Sequence, residues 1–253
     1  MITVSVRGIA VLGPGLPGWA AARPILASGE AWEAAPFTPP PPSLLAPTER
    51  RRTSPSVRLA LALATEAAEA SGLPPESLDT LFASSNGDGQ VIGTILDALH
   101  ESEVAISPTQ FHNSVHNAAA GYWGIAAGSQ RASASVGGHD WVFASGLLQA
   151  AIQVAATGEP LLFCASDTPL DAPLAAKRQT GCAFGLALVL APGEARPCLR
   201  VSYHAEPYTE APTPLDNPCA RGLPLLAALA GDSPAVLRFA MLEDGHLRVE
   251  VTP

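Results

Sequence analysis

Ser133 to Ala165, SASVGGHDWVFASGLLQAAIQVAATGEPLLFCA, reads as a short strand, a glycine turn, a helix without a formal charge and a second buried strand. Ser133 to Val136 is small and β-compatible, Gly137-Gly138 lets the chain reverse sharply, and Asp140 is placed to cap the helix that follows. From Trp141 to Thr157 no residue is charged, which predicts a helix covered on nearly every side. Gly158 supplies a left-handed stop, Pro160 prevents continuation, and Leu161 to Cys164 is a fully apolar strand. A strand, a tight turn and a buried helix form a place where several enzyme classes hold a nucleophile, because the helix N-terminus stabilises an anion. Here the turn carries His139, Asp140 and Trp141, with neither cysteine nor serine.

Working outward, Ile2 to Leu12 reads as a strand ended by Gly13-Pro14-Gly15, and a proline-interrupted connector with a short helix near Trp19 to Ala27 follows it. Ser54 as N-cap, Pro55 at the first helical position and Gly72 as stop frame a largely buried helix. Asp79 to Ser85 is the next strand, and Asn86-Gly87-Asp88-Gly89 turns into a helix from about Gln90 to Leu99. That glycine-rich turn matches neither GxxxxGK[ST] nor a full GxGxxG, so no phosphate cradle is assigned. Further strands are expected at Phe184 to Leu190 and Cys198 to Tyr203, then a short helix at Arg221 to Ala230. Val236 to Leu242 and Leu247 to Val251 read as a hairpin turning at Asp244-Gly245. Strands alternating with helices and closed by antiparallel strands predict an α/β fold on a mixed sheet.

Phe111 to Ala127 is read as one helical segment with His112 and His116 four residues apart, a spacing that puts both imidazoles on one face of a helix. There is no HExxH and no acidic or cysteine third ligand nearby. The segment's polar residues His112, Asn113, His116 and Asn117 are therefore read as hydrogen-bonded groups across a packed interface, and no metal or cofactor is assigned.

At 253 residues, with 47% hydrophobic and 15% charged, the chain can bury a substantial core and is unlike a disordered polypeptide. A net charge of −9 argues against a nucleic-acid partner, since phosphate affinity comes from clustered Lys and Arg. Arg50-Arg51-Arg52 is the one basic cluster in the sequence. The cysteines Cys164, Cys182, Cys198 and Cys219 show no CxxC spacing, and Cys164 and Cys182 are read as buried thiols. MITVSVRGIAVLGPG reads as a strand rather than a signal peptide. The helix after Asp140, with Ser145, Gln149 and Gln153, reads as a core helix rather than a membrane span, which makes a cytoplasmic, reduced protein the expectation.

The organising stretch, with SPTQFHNSVHNAAAGYWGIAAG before it and TGCAFGLALVLAPGE after it, resembles the N-terminal half of a β-ketoacyl synthase. More narrowly it resembles the short chain length factors of aryl-polyene and type II polyketide pathways, over roughly Ile2 to Tyr203. RRTSPSVRLALALATEAAEASG resembles the long helix that precedes the second core strand. The resemblance implies a thiolase-like half in α/β/α layers, with a mixed five-stranded sheet over residues 1–203 and a short β-rich extension over residues 204–253 packed on the same domain. It places the family's acyl-accepting cysteine within His139, Asp140 and Trp141, where this chain has none. His204 and His246 lie outside any sequence resembling the family's histidine motifs.

The same resemblance implies a non-catalytic partner in a heterodimer with a catalytic ketosynthase, in polyene or fatty-acid-like biosynthesis. Phe111, His112, Asn113, His116, Asn117, Tyr122 and Trp123 would then lie at the interface and shape the acyl tunnel, with Trp141 as a further bulky candidate. The resemblance brings an acyl carrier protein to the chain through that complex; a further reading, from charge, is a structural scaffold on which Arg50, Arg51 and Arg52 dock the acidic carrier protein. The alternative is a stand-alone acyl-thioester decarboxylase or hydrolase using His139 and Asp140 as an acid/base pair, against which stands the rule that adjacent side chains seldom point at one another.

Overall fold

The computed structural model describes residues 1–100, 106–178, 180–242 and 244–253. Its centre is one mixed sheet of eight strands: β1 (Ile2–Leu12), β2 (Asp79–Ala83), β3 (Ser133–Val136), β4 (Leu161–Asp167), β5 (Phe184–Pro192), β6 (Cys198–His204), β7 (Ala235–Met241) and β8 (Gly245–Thr252). The spatial order is β3-β2-β4-β5-β1-β6-β8-β7. Only β2 pairs in parallel, with β3 on one side and β4 on the other; the remaining pairs are antiparallel. The five-stranded sheet expected from the sequence is thus an eight-stranded one. Its extra width comes from β6 and the β7–β8 hairpin, which continue the sheet beyond β1.

The two central strands are covered on both faces, which is why β4 and β5 are nearly continuous apolar runs. Helix α3 (Pro55–Ser71) lies on one face against β1, β4 and β5, and α7 (Val142–Thr157) on the other, giving the α/β/α layering. Ser54 caps α3 by accepting from Val57 N–H at 3.3 Å, and left-handed Gly72 and Gly158 end α3 and α7, as the sequence predicts. Gly8 permits the close approach of β1 to α3, since a Cβ there would stand 2.0 Å from the Ala67 carbonyl oxygen.

Beyond β1 the sheet carries β6, β8 and β7 round α7, so that Phe239 on β7 meets Phe143 on α7 edge-on at 5.1 Å. Helices α1 (Trp19–Ser28) and α8 (Leu223–Ala230) pack on each other there, α1 against β1 and α8 against β7 and β8. Enclosure of α7 is less complete than its sequence suggests: Gln149, Ile152, Ala155 and Ala156 form an exposed stripe.

Three further helices flank the β3 side: α4 (Gly89–His100), α5 (Pro108–Ser114) and α6 (Ala118–Ala127). The single helix expected over Phe111 to Ala127 is two, because Val115 is extended (φ −75°, ψ 140°). Ser114 precedes the break, and its hydroxyl donates back to the Phe111 carbonyl at 2.8 Å, offering the backbone a local alternative to helix propagation. His112 and His116 consequently do not share a helix face. A short helix α2 (Pro47–Arg50) leads into the arginine run.

Candidate functional site

The carboxyl ends of the parallel strands β3, β2 and β4 open on one side of the sheet, the position where α/β sheets hold ligands. Asp167, the last residue of β4, is fully buried there. Its carboxylate accepts from Ser84 Oγ at 2.7 Å, Ser85 N–H at 3.0 Å, Asn86 N–H at 3.1 Å and Cys219 Sγ at 3.2 Å. Desolvation nonetheless raises the carboxyl's pKa above the usual 3.8, opposed by these hydrogen bonds. Asn217 closes the cluster from below, its amide donating to the Asp167 carbonyl at 3.0 Å and the Cys182 carbonyl at 2.9 Å.

Arg178 spans the top of the cluster. Its guanidinium donates to Asn86 Oδ1 at 2.7 Å, to Ser85 Oγ, and to Asp140 Oδ1 at 2.9 Å. Asp140 therefore does not cap α7: it lies in a 3-10 turn, His139–Trp141, and α7 begins without a side-chain cap. The second oxygen of Asp140 stands 3.3 Å from His139 Nδ1, so these adjacent residues do face one another. His139 adopts φ +51°, a left-handed conformation unusual for a side-chain-bearing residue, and its ring lies 5.9 Å from that of Trp141. His116 joins the group from the α5–α6 break. Its Nε2 is 3.1 Å from the Ser84 carbonyl, which can only accept, so Nε2 carries the proton.

The remaining sequence-predicted residues divide between two places. Asn113 donates to the Arg52 carbonyl at 2.8 Å and Tyr122 to the same oxygen at 3.4 Å, tying the arginine run's backbone to α5 and α6. His112 stacks edge-on against Tyr122 at 5.3 Å. Tyr122 and Trp123 are buried in the core under α6, whereas Phe111, 65% exposed, and Asn117 face outward. Arg51 and Arg52 are exposed and Arg50 half-exposed; Arg52 pairs on the surface with Glu49 at 3.4 Å.

Chemistry at the strand ends is constrained by the thiols. Burial pushes Cys164 up to about 12, and Cys219 is raised by burial and by the Asp167 carboxylate. Cys182 is half-buried rather than buried, and desolvation and Asp216 raise it too. A thiol attacks as its thiolate, so none of these three is primed to take an acyl group. Among the described residues no group of three or more His, Cys, Asp or Glu side chains is arranged to hold a metal ion, and no helix is long and apolar enough to cross a membrane.

Asp167, Arg178, Asn217 and Cys219 escape the sequence reading because they come from segments far apart in the chain. Asp167 alone leaves a signal: a single carboxylate ending the apolar run LLFCAS.

At the outer edge, β3 has no strand beyond it. Thr80 N–H donates to the Ala132 carbonyl and Ser84 N–H to the Val136 carbonyl. The even-numbered residues of β3 therefore turn their backbone toward β2, and those of Ser133 and Ser135 face outward. Helix α6 packs beside β3, and Ile125 on α6 (59% exposed), Phe111 on α5 and Val115 in the break leave large apolar side chains in the open.

The sequence profile of the family described as "Beta-ketoacyl synthase, N-terminal domain" matches residues 27–238. A comparison with curated proteins gives no match. Among solved structures, a chain of "Ketosynthase (ApeO) in Complex with its Chain Length Factor (ApeC) from Xenorhabdus doucetiae" is similar at 22% identity and a TM-score of 0.74, with 100% of both chains covered. A chain of the complex of a type II PKS acyl-carrier protein with its hexaketide-bound ketosynthase gives 13% identity and 0.77 over 99% of both chains. The ishigamide ketosynthase/chain length factor gives 13% and 0.74 over 99% of both chains.

Proposed function

The chain belongs to the β-ketoacyl synthase N-terminal domain family, and from that premise we propose that it is a chain length factor: a non-catalytic homologue that pairs with a catalytic ketosynthase and shapes its acyl tunnel. The observation that carries the reading is the open edge of β3, with the outward backbone of Ser133 and Ser135 beside exposed Phe111, Val115 and Ile125. Unpaired strand edges and exposed apolar side chains are a template for another chain. The ketosynthase and chain length factor complexes among its structural neighbours support a ketosynthase as that partner, and the lack of a cysteine within His139, Asp140 and Trp141 supports a partner rather than a condensing enzyme. An aryl-polyene or fatty-acid-like product and a cytoplasmic location belong to the same proposal.

Coexpression with the ketosynthase encoded nearest to it, followed by light scattering, tests the pairing. A one-to-one complex is expected, weakened in Ser135→Pro, which removes an edge donor without touching the ladder to β2. A chain that ignores the ketosynthase overturns the proposal. Phe111→Ala is expected to shift product length; Tyr122 and Trp123, being buried, would act on the tunnel only through packing. In the same proposal Arg50, Arg51 and Arg52 meet the carrier protein, and carrier affinity unaffected by neutralising all three excludes that role.

The contact between His139 and Asp140 favours a second reading, a stand-alone decarboxylase or hydrolase of acyl thioesters. Turnover of malonyl or acyl carrier-protein thioesters by the purified chain, lost in a folded His139→Ala variant, would establish it. Thioesters left intact exclude it.

A further inference from the structure

Strand β7 closes the opposite end of the sheet and is likewise an edge. Its ladder to β8 is regular, with Ala240 opposite His246, Arg238 opposite Arg248 and Val236 opposite Glu250. Ala240 N–H does not point at β8: it donates to the Glu210 carboxylate, which reaches in from the loop after β6 and is held from behind by Arg221 at 2.9 Å. The alternation of a strand then fixes the neighbours. The N–H and C=O of Arg238 and Val236 face the same open side, and no strand, loop or side chain among the described residues pairs with them there.

Directly beside these groups lies a cavity of about 400 Å³ whose apolar wall is Leu237 and Phe239 of β7 with Ile25, Trp32 and Ala227, and whose rim includes Arg238 and Glu210. Leu237 and Phe239 reach it from the inner face of the sheet, the side on which Phe239 meets α7. The side chains of Val236 and Arg238 alternate to the outer face. Arg238 stands directly across from Arg248, an unfavourable pairing of like charges. Glu250, the carboxylate next to them, is taken by Arg248, and among the described residues no carboxylate lies within ion-pair distance of Arg238.

We infer that β7 is a docking edge for an extended segment of a partner polypeptide in which acidic and apolar residues alternate. Only a polypeptide strand offers the alternating donors and acceptors that Val236 and Arg238 leave unpaired, and Glu210 already plays that part for Ala240. A strand added there sends every second side chain to each face. Its apolar residues enter the cavity under Leu237 and Phe239, and its carboxylates stand across from Arg238, supplying the counter-charge that Arg238 lacks. The edge lies at the far end of the sheet from β3, so the inference does not depend on pairing with a ketosynthase.

The test uses the full chain and a fluorescein-labelled peptide in which glutamate and valine alternate, followed by anisotropy, with hydrogen exchange read at Val236 and Arg238. Saturable binding is expected, with slowed exchange at those two amides and a shift in Trp32 emission. Val236→Pro removes an outward N–H and leaves the β8 ladder intact; it should weaken binding about tenfold or more. Arg238→Glu should weaken it and abolish its salt dependence, and Ala227→Trp, which fills the cavity, decides the matter should the proline variant fail to fold. No anisotropy change up to millimolar chain, equal affinity for the same peptide with lysine in place of glutamate, or protection appearing elsewhere than β7 would each overturn the inference.

Discussion

Replacing Asp167 separates the two things its carboxylate does, accepting hydrogen bonds and carrying a buried charge. Oδ1 serves Ser84 Oγ, Ser85 N–H and Asn86 N–H, while Oδ2 faces Cys219 Sγ and shares the Ser85 N–H at 3.1 Å. Asp167→Ala strips acceptors from two backbone N–H groups in a buried setting, at about 1–3 kcal/mol each, so a loss of about 2–6 kcal/mol is expected. Asp167→Asn can keep its amide oxygen at the Oδ1 position and turn its NH₂ toward the Cys219 sulfur, with no charge to desolvate. It should lose far less. The pH dependence has a definite sign. Because burial raises the folded pKa above 3.8, the native state holds this proton more tightly than the unfolded chain does. The stability of the wild type relative to Asp167→Asn should therefore fall as pH rises from about 4 through the raised pKa, and then level off. Urea unfolding of the three proteins between pH 4 and 8 gives all of these values. An Asn variant as unstable as the Ala variant, or a difference that grows with pH, would refute the reasoning.

Other substitutions probe the frame around that cluster. Gly8→Ala would set a Cβ 2.0 Å from the Ala67 carbonyl oxygen and 2.9 Å from Ser71 N, both backbone atoms that cannot swing away. A loss at or above the upper end of the ~1–3 kcal/mol usual for overpacking is expected in denaturant melts. With a thiol reagent at pH 8, Cys182 should react ahead of Cys164 and Cys219, which should appear only on addition of denaturant; rapid labelling of Cys219 in the native chain would contradict its burial against Asp167. Arg131 Nε holds the buried Asp79 carboxylate at 2.9 Å at the start of β2. Arg131→Met should cost about 1–3 kcal/mol, discounted for the exposure of the arginine, in urea unfolding. An unfolding midpoint unchanged in Arg131→Met would show that the pair contributes nothing.

Local signals were legible wherever one residue decides one feature. Ser54, Gly72 and Gly158 mark helix ends by their own geometry, and no distant group competes with them. Asp140 shows what happens when one does: Arg178, 38 residues away in sequence, takes its Oδ1, and His139 faces the other oxygen. The break at Val115 was hidden because a Ser-Val pair inside an otherwise helical pattern is common, and only the Ser114 hydroxyl bond reveals it. Sheet width was hidden for a different reason. A hairpin at residues 235–252 announces its own pairing but not the strand it joins, which here is β6. The candidate site was half legible: the His139–Asp140 turn stands in one stretch, but the cluster under it needs Asp167, Arg178 and Asn217 from three others.

An uncharged helix such as α7 must be covered on two sides, and the way this chain covers it bears on its chemistry. The central strands supply one side; β7, β8 and the 3-10 turn Pro218–Gly222 supply much of the other, with Phe239 closing on Phe143. The loop that links β6 to these elements passes in front of His139, and the cleft between them is lined by Pro212, Pro214 and Pro218 together with Asp216, Asn217 and Arg221. A decarboxylative condensation needs donors directed at the developing enolate oxygen. Of the donors in this cleft, Asn217 spends both amide hydrogens on the Asp167 and Cys182 carbonyls. Arg178 is committed to Asn86, Ser85 and Asp140, and Arg221 to Glu210. Asn217, Arg178 and Arg221 thus hold the turns together, and Lys177 and His139 are the cationic side chains left along the cleft. The pairing proposed along β3 is therefore tested on that edge, and the second reading on Lys177 and His139, the two cationic side chains that the turns leave along the cleft.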